Sequence, residues 1–158
     1  MRCLFVGVLC CVFVGSALGQ ADSTTYCTFA DGHQITVRYA ASGNKRQEPE
    51  NGIWSPNGSP MFLFTDTPVT LGDAHIPTGA YSLYLSGKKP WTLIVNRNTK
   101  PDAAYNQQLD LGRQTMESGE LGSPQKGMQL YFVHAQPKQC NLRIYLGDTG
   151  HWADFKEQ

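Results

Sequence analysis

The sequence predicts an all-β protein: a single-domain antiparallel β-sandwich, with a small barrel-like sandwich as the alternative closure. Three observations lead there. Apolar and polar residues alternate with a period of two through most of the chain, no span of a dozen residues keeps a helical period, and Gly, Pro, Asn and Asp punctuate the chain at short intervals. Eight or more short strands so spaced form two packed sheets or a small barrel.

The elements follow in order. Residues 1–19 read as a signal peptide: Arg2, an unbroken apolar run from Leu4 to Val14, then small residues at Ala17 and Gly19 that place cleavage before Gln20. That eleven-residue run is shorter than the about 20 residues a membrane-spanning helix needs, and no later stretch comes closer. The expectation is an exported chain, periplasmic or extracellular, whose domain occupies residues 20–158.

Thr25–Phe29 and Ile35–Tyr39 alternate around Asp31-Gly32, a hairpin signal because both turn residues tolerate positive φ. Cys27, Phe29, Ile35, Val37 and Tyr39 face inward. Further strands are read at 61–66, 69–75, 80–86, 91–97, 113–121 and 128–135, and a late one carries Cys140, Leu142, Ile144 and Leu146 inward and Asn141, Arg143 and Tyr145 outward. His134 extends the inward face of Met128, Leu130 and Phe132. Residues 41–60 form a long Gly/Pro/Asn loop, and 98–108 a second with room for one helical turn. Pro77 and Gly79 turn the chain into the strand of Tyr81, Leu83 and Leu85, while Trp91–Val95 is apolar on nearly both faces, as a central strand is.

Charge and cysteine usage narrow the function classes. Removing Arg2 with the leader leaves 12 basic residues against 13 acidic, a net of −1, with no basic stripe to hold nucleic acid. Cys3, Cys10 and Cys11 leave with it, so Cys27 and Cys140 remain, either as one disulfide between the first strand and the late one or as two buried thiols.

Familiar chemistries find little support. No glycine-x-serine-x-glycine elbow is present. Serine-x-x-lysine occurs at Ser42/Lys45, Ser86/Lys89 and Ser123/Lys126, each in a Gly- or Pro-containing loop rather than on a helical turn. His33, His75, His134 and His151 are scattered without metal-ligand spacing, and no glycine loop precedes a helix to cradle phosphate. Neither a metal nor a cofactor is expected.

Asp110 and Arg113 form the most informative polar pair. They make either a local salt bridge pinning the preceding loop to the sheet, or a site where Arg113 receives an anionic ligand beside Tyr105 and Asp110. Trp54 is either an exposed stacking platform or an anchor for its loop. Non-enzymatic binding of a small ligand, a glycan or an envelope partner is expected from loops 41–60 and 98–112. The rivals are a small hydrolase-like enzyme around Asp110 and Arg113, and a purely structural envelope module. No catalytic residue is assigned.

Three motifs carry a family likeness: Pro77, Gly79 and Tyr81 at a turn into a strand; Trp91, Leu93 and Asn96 along the next; and Asp110-Leu111-Gly112-Arg113. Together they resemble the bacterial exported proteins of the domain of unknown function family 2911 (DUF2911), over roughly residues 29–147. The resemblance implies the fold and export and names no reaction. The chain departs from the family's tryptophan-arginine-x-glycine-x-asparagine segment, carrying Trp54-Ser55-Pro56-Asn57-Gly58 instead.

Overall fold

The computed structural model describes residues 22–40, 52–55, 59–87, 90–101 and 104–158. The expected signal peptide (1–19) and most of residues 41–60 lie outside them. The described residues form eleven strands: β1 (Asp22–Thr28), β2 (Gln34–Ala40), β3 (Ile53–Trp54), β4 (Met61–Thr65), β5 (Val69–Leu71), β6 (Ala74–Ile76), β7 (Gly79–Ser86), β8 (Thr92–Asn96), β9 (Asp110–Thr115), β10 (Glu117–Gln136) and β11 (Gln139–Glu157). Their pairings are antiparallel.

Two sheets result, an open sandwich rather than the barrel-like alternative. The first runs β1-β2-β4-β7-β8-β9, with β3 also on β7; the second runs β10-β11-β5-β6. Between them lies one apolar core that includes Phe29, Ile35, Val37, Leu63, Leu83, Leu93, Val95, Leu142, Ile144 and Phe155. The alternation read from the sequence selects these residues, because in a pleated strand every second side chain faces the partner sheet. β8 sits between β7 and β9 and is buried on both faces, Leu93 and Val95 in the core and Ile94 on the opposite side.

The Pro77-x-Gly79-x-Tyr81 turn has a local cause. The Tyr81 hydroxyl donates to the Pro77 carbonyl at 2.8 Å, closing the turn as tyrosine corners do in other sandwiches.

Several boundaries differ from the sequence reading. Residues 69–75 are two strands, since Gly72 (φ 58°) and Asp73 turn the chain between β5 and β6. The expected strand 113–121 is split at Met116, where the chain leaves the first sheet and enters the second. His134 is exposed rather than a core residue, although its strand partner Cys140 is buried. Trp152 pairs with Glu117 within the second sheet.

β11 is not one straight strand. Thirteen residues of extended chain span about 40 Å, yet the Asn141 amide donates to Asp154 Oδ1 at 2.7 Å and the Glu157 N–H reaches the Lys138 carbonyl at 2.9 Å. The strand therefore folds back at Gly147 (φ 62°) and Asp148, laying its two arms side by side.

Cys27 and Cys140 are bonded, with Cα atoms 6.1 Å apart and 113 residues between them. Both are buried. The bond joins β1, an edge of the first sheet, to β11, which lies inside the second rather than at its edge.

Candidate functional site

The residues singled out by the sequence divide between the two faces of the first sheet. Paired residues share a face, so Trp54, opposite the core residue Leu85, points inward. Its ring lies 6.3 Å from that of Trp91, which stacks at 3.8 Å on the buried His151 of the second sheet. Trp54 is thus an anchor between the layers and offers no stacking platform.

Tyr105, Asp110 and Arg113 converge on the opposite, outer face. In a regular strand residues three apart point to opposite sides. Here the register slips, with Asn96 opposite Asp110 but Val95 opposite Gly112, so Leu111 is an extra residue in a β-bulge. Leu111 packs against the core, and Asp110 and Arg113 emerge together. Gly112 holds the bulge close to the second sheet: a Cβ there would lie 2.5 Å from the Ala74 Cβ.

Asp110 is the centre of the cluster. Its Oδ1 accepts from Asn96 Nδ2 at 2.7 Å; its Oδ2 accepts from the Tyr105 hydroxyl at 2.7 Å and from Arg113 Nε at 2.8 Å. Arg113 Nη2 bonds to both Tyr105 Oη and Asp110. The Arg113 side chain keeps 39% of its surface exposed against 10% for Asp110. Tyr105 packs edge-on against the buried Tyr84, ring centres 5.1 Å apart.

Asn96, a residue given no role in the sequence reading beyond closing one motif, is the second centre. It is fully buried. Its Nδ2 donates to the Asn106 carbonyl as well as to Asp110, and its Oδ1 accepts from the Asn98 N–H at 2.9 Å. These bonds lay the chain between β8 and β9 across the outer face, and that chain contains the one helical turn anticipated, Gln107–Leu109, capped by the Asn106 side chain. The signal for Asn96 was a lone amide at the end of an otherwise apolar strand, since a buried amide demands partners.

Burial pushes the Tyr105 phenol up to about 12, helped by its hydrogen bond to Asp110 and that residue's charge, with Arg113 opposing. An unfolded tyrosine ionises near 10. Below that pH both states hold the proton and stability is unaffected; as pH rises through 10 toward 12 only the unfolded chain ionises, and stability falls. Tyr105→Phe is expected to lessen this alkaline loss, measured as melting temperature between pH 8 and 12. An equal loss in wild type and variant would show that Tyr105 ionises freely.

The histidines do not join the cluster. His33, His75 and His134 are exposed on other elements, and His151 is buried against Trp91. Among the described residues, no three of His, Cys, Asp and Glu converge as metal ligands would.

No curated protein and no solved structure matches this chain. A family model described as Protein of unknown function (DUF2911) matches residues 21–151. The corner at Tyr81, the Trp91–Asn96 strand and the Asp110–Arg113 bulge fall within that match, and the chain belongs to the DUF2911 family.

Proposed function

We propose that the protein is a non-catalytic binding β-sandwich of an exported compartment, recognising a small ligand, a glycan or an envelope partner. One observation carries this most: the polar groups best suited to catalysis are consumed by one another. Asp110 accepts on both oxygens, Tyr105 holds its proton to about 12, and the histidines lie on other elements. General-base catalysis needs a group with a free lone pair and a pKa near the working pH. A cluster so satisfied positions a loop; the exposed part of Arg113 is what it still offers a ligand.

Export is supported by the Cys27–Cys140 bond, which suits an oxidising compartment, and by the leader-like residues 1–19. No helix among the described residues is long and apolar enough to cross a membrane.

A panel of chromogenic ester, phosphate and glycoside substrates tests the proposal against the hydrolase alternative. No turnover above buffer is expected. Turnover that disappears in Asp110→Asn would overturn the non-catalytic role and place the reaction at this cluster.

A further inference from the structure

The second sheet carries its own cleft on the face away from the core. Cys140, Leu142, Ile144, Ala153 and Phe155 fill the core side of the two arms of β11, which leaves Arg143, Tyr145 and Trp152 on the other. These three, with Gly119, Glu120 and Leu121 of β10, line a cavity of about 260 Å3.

Glycine makes room for the rings. A Cβ on Gly119 would lie 3.0 Å from the Trp152 ring, and one on Gly150 would lie 3.0 Å from that of Tyr145. Both rings therefore rest on bare backbone. Trp152 is also fixed by its indole N–H, which donates to Glu117 Oε2 at 2.6 Å. Tyr131 continues the row, 5.8 Å from Tyr145 and about half exposed. Arg143 Nε donates to Asn141 Oδ1 at 2.9 Å, holding the guanidinium at the cleft, and among the described residues no partner takes its terminal N–H groups.

We infer that this cleft is a saccharide-binding site, selective for neutral sugars over acidic ones. A pyranose offers an apolar C–H face and a rim of hydroxyls that both donate and accept. Oriented aromatic rings meet the face, and a guanidinium with a carboxylate meets the rim. The charges fixed beside the cleft are one cation, Arg143, against two carboxylates: Glu117, which receives the Trp152 indole N–H, and Asp154, which receives the Asn141 amide beside Arg143; that balance disfavours uronic acids. The inference rests on the binding role proposed above and gives it a ligand class and a location.

The test titrates the full mature protein with cellotetraose, chitotetraose, maltotetraose and tetragalacturonate, following tryptophan emission and heat. Trp91 is buried but Trp54 is only half-buried, so the emission change is assigned to Trp152 where Trp152→Phe abolishes it. At least one neutral tetrasaccharide is expected to bind, and tetragalacturonate to bind about tenfold more weakly or not at all. Trp152→Ala and Arg143→Gln should each weaken the neutral sugar about tenfold or more, whereas Trp152→Phe keeps most of the affinity. Should Trp152→Ala not fold, Arg143→Gln and Trp152→Phe still decide the matter.

Binding by none of the neutral sugars overturns the inference, as does affinity unchanged in Arg143→Gln and Trp152→Ala, or tighter binding of tetragalacturonate. In each case the non-catalytic role stands. Release of new reducing ends in the same samples would instead overturn that role while leaving the site in place.

Discussion

Replacing Cys27 and Cys140 together by serine is expected to lower stability by about 4–5 kcal/mol, the chain-entropy value for so long a closed loop. The corresponding fall in melting temperature is about 10–20 °C for a domain of this size. The loss should be larger than the entropy of the loop alone would suggest at one place, the edge strand β1. Its pairing to β2 is local, and the disulfide is its covalent tie to the second sheet. Hydrogen exchange would therefore rise first in Asp22–Thr28. Both cysteines are buried, so a reductant should act only where the protein opens, and the disulfide should survive mild reducing conditions in the folded protein. An unchanged melting temperature in the double variant would show that the sheets are held together by packing alone.

The second large effect is expected at Asn96. Asn96→Ala removes three hydrogen bonds made inside the protein, to Asn106, Asp110 and Asn98. At about 1 kcal/mol each the cost is about 3 kcal/mol; the Asn106 carbonyl keeps the Leu109 N–H as a partner. The variant should also free residues 104–109 from the outer face, detected as faster amide exchange there and as loss of the elevated Tyr105 ionisation. Unchanged exchange would mean that the Tyr105–Asp110–Arg113 contacts hold this segment unaided. Because the Arg113–Asp110 pair is partly exposed, little of the stability is assigned to its charge.

Much of this fold is legible in the sequence, and the failures have definite causes. Alternation identified the inward residues of β1, β2, β7 and the first arm of β11, since a half-buried strand imposes that pattern. The second arm of β11 was missed because Gly147-Asp148 and Gly150 interrupt the alternation, hiding that Ala153 and Phe155 resume it. The bulge at Leu111 leaves no mark in a single sequence. Parity alone puts Asp110 and Arg113 on opposite faces, and only the register slip reunites them. Trp54 was ambiguous for a related reason: a tryptophan's composition does not reveal which face its strand will present, and pairing to Leu85 decided it.

The cleft on the second sheet was half visible. Alternation turns Arg143 and Tyr145 outward, and nothing in that stretch announces that Trp152, seven residues beyond Tyr145, returns beside them. That proximity is a property of the fold-back alone.

The pairing of β5 with Phe155–Glu157 also orders events in time. Synthesis runs from the N-terminus, and every strand of the first sheet is complete by Thr115. The second sheet needs Val69–Leu71 to wait for the last residues of the chain, a pairing of high sequence separation and hence slow to form. Until then part of the apolar core around Val69 and Leu71 lacks its cover, and such exposed apolar surface is an aggregation hazard. A chain lacking residues 155–158 would lose the β5 pairing and Phe155 from the core, although it would lack none of the residues of either candidate site.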